Sequence, residues 1–189
     1  MKTGLLVARR GAIAERTPYA QGIDFRATSG FVTDPSGFDA EIGTTANYPR
    51  TTAQGHTVGW EQAPSGTRDR SSGVDARLAG IAFNSTTTDI TYRLDLPNGT
   101  YSLRLACGDQ SASQKTTCTI SDGTTVLSSF SNSTAAAHFL DATGVIRTSA
   151  ADWVTNNAPL SVTITTGILR IAIRTPSTSS GVITTLSVA

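Results

Sequence analysis

Residues 89–109 read DITYRLDLPNGTYSLRLACGD, and apolar side chains fall on every second position of both halves. Ile90, Tyr92, Leu94 and Leu96 alternate with polar residues, as do Tyr101, Leu103, Leu105 and Cys107. A side-chain period of two belongs to a strand with one face buried and one face wet. A helix needs spacings of three and four, and no stretch of the chain sustains them over three turns. Pro97-Asn98-Gly99 separates the two runs. Asn-Gly accepts the positive φ angles of a tight reversal and Pro stops the first strand, so the pattern predicts a β-hairpin.

Similar signals recur down the chain. QKTTCTISDGTTVLSSF reads as two strands around Asp122-Gly123. PLSVTITTGILRIAIRT places Val162 and Ile164 inward, turns at Gly167, then places Leu169, Ile171 and Ile173 inward. GVITTLSVA puts Val182, Leu186 and Val188 on one face. Shorter candidates are GIDFRAT, GFVT, HTVGWEQ, IAFN, HFLDA and GVIRTS. Many short strands with turn residues between them predict an all-β, antiparallel sandwich or jelly roll. Residues 1–22 are basic and hold no strand pattern, so they read as an N-terminal extended arm, with the sandwich over 23–189.

Charge narrows the function classes. The formal net charge of 189 residues is +1, which gives no footprint for a nucleic-acid backbone or an anionic membrane. The short apolar run Leu5–Ala8 is cut off by Arg9 and Arg10. A secretory signal needs about 7–15 apolar residues and a membrane span about 20. Synthesis in the cytoplasm without export, and no membrane insertion, are the expectations. Asn84-Ser-Thr, Asn98-Gly-Thr and Asn132-Ser-Thr match a glycosylation acceptor and read better as turn chemistry. Cys107 and Cys118 share parity with apolar neighbours. They read first as buried free thiols and second as a cross-strand disulfide, which cytosolic synthesis opposes.

Several segments resemble a known family. IDF at 23–25, GW at 59–60, RDR…DARLAG at 68–80, YRLDLPNGTYSLRLACGD at 92–109 and LRIAI at 169–173 are similar to a galactose-binding-like β-sandwich. The nearest variety is the non-catalytic module found beside polysaccharide-degrading enzymes, related to malectin-like domains, with similar stand-alone modules among phage structural proteins. The resemblance spans about residues 23–189 and implies a carbohydrate ligand without specifying one. In departure from the enzyme-linked pattern, no catalytic domain is expected after the sandwich, and an arm is expected before it.

Catalytic groups are sparse. The histidines are His56 and His138, each expected to be a hydrogen-bonded structural side chain, with ligand contact a second reading for His56. No nucleophile elbow, His-Glu-x-x-His, phosphate loop or dinucleotide fingerprint occurs. Carboxylates are too scattered to nominate a glycosidase pair. The chain therefore reads as a non-enzyme. No cofactor is expected. Asp109 and Asp122 are loop carboxylates for a structural calcium at most, since calcium takes about six to eight oxygens and Asp is common in turns.

For a sugar, a flat ring covers the apolar face of a pyranose while polar side chains take the hydroxyls. Trp153, Tyr48, His56 and Trp60 are the candidates, with Trp60 favoured as core and Trp153 expected at a loop edge. The segment TRDRSSGVDARLAG gathers Arg68, Asp69, Arg70, Asp75 and Arg77. Alternating signs read as a mutually neutralised brace holding an irregular loop, with a polar ligand site second.

The expected function is a structural or binding component of a phage-type virion: capsid decoration, head fibre or tail. Its arm would contact other assembly proteins in an oligomer at a particle surface. The alternative is a stand-alone carbohydrate-binding module.

Overall fold

A computed structural model describes residues 20–27, 37–70, 75–177 and 179–189. In chain order the strands are β1 (Gln21–Arg26), β2 (Phe38–Ile42), β3 (Arg50–Thr51), β4 (Thr57–Trp60), β5 (Gly66–Asp69), β6 (Gly80–Asn84), β7 (Ile90–Asp95) and β8 (Gly99–Gly108). They continue as β9 (Gln114–Asp122), β10 (Thr125–Thr134), β11 (Phe139–Leu140), β12 (Ile146–Arg147), β13 (Leu160–Ile164), β14 (Ile168–Arg174), β15 (Gly181–Ile183) and β16 (Thr185–Val188). A 3-10 turn, Ala76–Leu78, precedes β6, and a short helix α1, Ala150–Asn156, follows β12. No helix among the described residues is long and apolar enough to cross a membrane.

The expected all-β sandwich is what forms. One sheet runs β12-β11-β8-β16-β1-β2, with β13 also on β8; the other runs β10-β9-β14-β7-β4-β3; β15-β6-β5 make a third, smaller sheet. Pairings are antiparallel except β1 with β2. The alternation read from sequence sets the inner faces. Leu103, Leu105 and Cys107 of β8 and Leu186 and Val188 of β16 meet Cys118 and Ile120 of β9 and Leu169, Ile171 and Ile173 of β14 in one core. Both cysteines are buried free thiols. Phe25, Trp60 and Tyr92 form an aromatic trio with centroids 5.0–5.4 Å apart. Each such side chain gains roughly 1.5–3 kcal/mol from burial, and tilted pairs add about 0.5–1.5 kcal/mol.

The Asp122-Gly123 reversal is a true hairpin: β9 and β10 pair from Asp122↔Thr125 onward, and Gly123 takes φ +57°. The expected hairpin at Pro97-Asn98-Gly99 is not one. β7 pairs with β4 and β14, whereas β8 pairs with β11, β13 and β16, so the chain arches from one sheet to the other. Neither Asn98 nor Gly99 adopts a positive φ. Tyr101 Oη donates to Pro97 O at 2.6 Å and Leu96 N to Gly167 O at 2.9 Å, which fixes the arch. Alternation demands only that each run bury a face, and two runs facing each other across a core meet that demand as well as two paired runs do.

Residues 1–19 of the expected arm, and the GFVT candidate at 30–33, lie outside the described residues. Gln21 and Gly22, placed in the arm from sequence, belong to β1, where they pair with Val188 and Ser187.

Candidate binding surface

The polar positions of the six-stranded sheet point outward, and on β7 and β14 they carry charge. Arg93 and Asp95 alternate with the buried Tyr92 and Leu94, and Arg170 lies directly opposite Arg93. Two cations facing each other need anions between them. Glu61, one residue past β4, supplies one: Arg170 Nε and Nη2 donate to its two oxygens at 2.9 Å each, and Arg93 Nη1 lies 3.5 Å away. Asp95 supplies the other, accepting from Arg93 Nε at 2.8 Å. Arg170 Nη1 also donates to Gly123 O at 3.1 Å. The Arg170 guanidinium, then burial opposing it, sets Glu61, whose carboxyl is held below the ordinary carboxylate range.

Tyr48 closes one end of this array. Its Oη donates to Asp95 Oδ2 at 2.7 Å and its ring lies under the Arg93 guanidinium at 4.3 Å. Burial first, and then the Asp95 bond, raise the phenol above its usual value. The loop that carries Tyr48 lies flat on β4 because residue 59 is glycine: its φ is +145°, and a Cβ there would stand 2.7 Å from Asn47 Oδ1 and 2.9 Å from the Tyr48 backbone. Asn47 N and Tyr48 N both donate to Trp60 O at 3.1 Å. The polar face continues over β9 and β10, where Thr117 and Thr119 bond Ser131 and Ser129 at 2.8 and 3.2 Å. The result is a row of fixed donors and acceptors, 20–36% exposed, with one aromatic ring at its end. Each acid in it is matched by a guanidinium, which leaves no lone group poised to take or give a proton.

The other expected site residues do not join it. Trp60 is 1% exposed inside the aromatic trio, so its face is closed to a ligand. Trp153 is not at a loop edge. It sits in α1 at 3% exposure, its Nε1 donates to Leu105 O at 3.1 Å, and Arg77 covers its ring at 5.1 Å. With Leu78, Ala106 and Phe139 it fills a second cluster on the outer side of β8. His56 lies in the turn before β4, where Thr52 N donates to its carbonyl at 2.9 Å and its own N–H donates to Thr52 Oγ1 at 3.0 Å. His138 Nδ1 bonds Ala136 O at 2.9 Å. Asn84, read as turn chemistry, is buried and donates to Thr88 O and Ile173 O.

The Arg–Asp segment is only partly the closed brace expected. Arg68 and Asp69 lie in β5, not in an irregular loop. Arg68 stacks on Phe83 at 4.7 Å and Asp69 Oδ1 accepts from Ala27 N at 2.8 Å. Asp75 and Arg77 pair through two 2.8 Å bonds. Arg70 leaves the segment and pairs with Asp109, which is wholly buried. Asp109 accepts from Arg70, Ser111 N and Gln114 Nε2. Asp122 is equally occupied, accepting from the N–H and hydroxyl of both Thr165 and Thr166 at 2.5–3.0 Å. Those four bonds, the hydroxyls first, lower its carboxyl to about 2. No group of three or more His, Cys, Asp or Glu side chains gathers at metal-binding range among the described residues.

Sequence reasoning nominated Tyr48 and missed Arg93, Asp95, Glu61 and Arg170. A signal existed: YRLDL and LRIAI put charge at the outward parity of two strands. Their convergence did not show, because Glu61 and Arg170 are 109 positions apart.

Comparison with known proteins gives the fold. No family model and no curated protein matches the chain. Over 90% of its length it is similar in structure to part of the YXIM protein from Bacillus subtilis, at 17% identity and a TM-score of 0.51. Over 91% it is similar to part of a calcium-binding mutant of Bacteroides uniformis β-glucuronidase 2, at 11% identity and a TM-score of 0.52. The CBM35 from Cellvibrio japonicus Abf62 overlays 77% of the chain, and 87% of its own length is covered, with 13% identity and a TM-score of 0.39. The chain spans only 39% of the first of these proteins and 18% of the second, so the likeness is to one domain of larger molecules. At these identities it establishes the β-sandwich.

Proposed function

We propose that this protein is a non-catalytic sandwich module that binds carbohydrate on the outer face of its six-stranded sheet, across Tyr48, Asp95, Arg93, Glu61 and Arg170. The observation that carries the proposal is the array itself: guanidinium and carboxylate groups locked by one another and left a fifth to a third exposed. Sugar hydroxyls are bound by such pre-oriented donors and acceptors, and little side-chain entropy remains to be lost. Matched charge argues against turnover, because catalysis needs a group with a pKa tuned to transfer a proton. The Bacteroides uniformis neighbour is part of a β-glucuronidase, which supports a setting of carbohydrate recognition for this fold.

The face is flat and has one bordering ring, so a single contact is weak. Many copies on one particle convert weak contacts into avidity. We therefore place the module in a multi-copy assembly, with a phage-type virion as the setting expected from the sequence. The test is a glycan array probed with a multimerised form, covering plant, bacterial and host sugars. Retention on a defined subset supports the reading, and no retention removes the carbohydrate ligand from it.

A further inference from the structure

β10 ends the six-stranded sheet: β9 pairs with it on one side, and among the described residues no strand pairs with the other, although the β11–β12 turn packs Gly144 against Phe130. An edge of this kind presents a row of unpaired N–H and C=O groups, and soluble proteins blunt such edges with charge, proline, short length or a β-bulge. β10 is ten residues long and reads TVLSSFSNST, without a charge or a proline. An irregularity between Val126 and Ser128 bends only its start; from Ser128 to Thr134 the register is unbroken. Val126 and Leu127 are exposed at 59% and 38%, unusual for large apolar side chains.

One bond shows which groups are free. Ser133 N–H is taken by the side chain of its own neighbour, Asn132 Oδ1, at 2.9 Å, so it points away from β9. Strand groups alternate sides, so the N–H groups of Ser129 and Ser131 point away as well.

We infer that the β10 edge is a self-association surface. Ser128–Thr134 of one copy pairs antiparallel with the same segment of a second copy, about a two-fold axis at Ser131, joining two six-stranded sheets into one. The strand is complementary to itself. About that axis Ser129 faces Ser133 and Phe130 faces Asn132, with no charge in any pair, so like-charge repulsion does not arise. The Ser129 and Ser131 hydroxyls already bond Thr119 and Thr117. A hydroxyl has further bonding capacity for a second neighbour. A charged peptide would find no counter-charge on this strand.

The test is analytical ultracentrifugation of the full chain, wild type against Ser131→Lys and Ser131→Pro, with Ser161→Lys on the other sheet as control. A lysine at the axis meets its own copy, and a proline removes an outward N–H without taking a bond from β9. Wild type and Ser161→Lys should be dimeric. Both Ser131 variants should raise the dimer dissociation constant by about tenfold or more, the loss of the two symmetry-related edge bonds or a new like-charge pair. Ser131→Cys should cross-link as a dimer on a non-reducing gel, and Ser161→Cys should not. A monomeric wild type, an assembly unmoved by both Ser131 variants, or no Ser131→Cys cross-link overturns the inference. None of these readouts depends on whether a sugar binds.

Discussion

Tyr92 Oη donates to Glu41 Oε2 at 2.7 Å, and with that bond the aromatic core of one sheet is tied to the edge strand of the other. Arg50 donates to the same oxygen at 2.8 Å, and Asn47 Nδ2 donates to Oε1 at 2.5 Å, so a carboxylate only 2% exposed is bonded on both oxygens. Burial, and then the Glu41 charge, push the Tyr92 phenol well above its ordinary value, keeping it a donor. Removing the anion strands Arg50, which is a quarter exposed and regains some water. Glu41→Ala should therefore cost about 3 kcal/mol, the low end of the range for a broken buried pair. Tyr92→Phe removes the bond to Glu41 and the longer one accepted from Arg50, and should cost about 1–2 kcal/mol. Urea unfolding checks both.

Asp122 makes the β9–β10 reversal sensitive to acid. Its carboxyl is held at about 2 by the two threonines. An Asp in the unfolded chain titrates near 3.9. The folded value is the lower one, so the stabilisation is complete above about pH 4 and is lost as pH falls toward 2. Asp122→Asn puts an amide donor against N–H groups and lowers Tm at neutral pH. The gap between wild type and variant should narrow steadily from pH 4 to pH 2, read by thermal melts across that window.

Trp153 serves packing. Trp153→Ala should cost about 3–5 kcal/mol, because α1 loses its one buried side chain and a cavity opens beside Phe139. Trp153→Phe keeps most of that volume and leaves the Leu105 carbonyl without the indole donor, for roughly 1–2 kcal/mol. Denaturant midpoints give the order Ala below Phe below wild type.

Arg70 and Asp109 separate a brace from a metal site. Asp109 is wholly buried and Arg70 is its cationic partner. Arg70→Met leaves that charge unneutralised and should cost about 3–5 kcal/mol. Added calcium or a chelator should leave the wild-type Tm unchanged, since the oxygens of Asp109 and Asp122 are already engaged by hydrogen-bond donors. A calcium-dependent rise would mean that a cation displaces Arg70.

Strands were legible where one run buries one face: Leu169, Ile171 and Ile173 of β14 and Leu103 to Cys107 of β8 lie inward as alternation dictates. Pairing was less so. Pro97-Asn98-Gly99 carries hairpin chemistry, yet the partners of β7 and β8 come from segments as distant as β4 and β16, a choice that local residues do not encode. Trp153 was misplaced for a related reason. A helix of seven residues is too short to show a period, and the surface that buries its Trp is the back of β8, with Ala106, Leu78 and Phe139. The binding face was half visible, as outward charges on two strands. The residue that joins them, Glu61, lies at the outward parity of the HTVGWEQ segment, but nothing local shows that it meets Arg170.

The most direct test of the account compares multimerised wild type with an Arg93→Ala/Arg170→Ala variant on the same glycan array, with thermal melts confirming that both are folded. The two guanidinium side chains are only 20–25% exposed and Glu61 loses both partners, so the variant should be less stable as well as emptied of the face's fixed donors. The arrays are compared at a temperature where the melts show both proteins folded. The account predicts that wild type is retained on a subset of sugars and that the folded variant is not. Equal retention of the two proteins, or none for wild type, would contradict it.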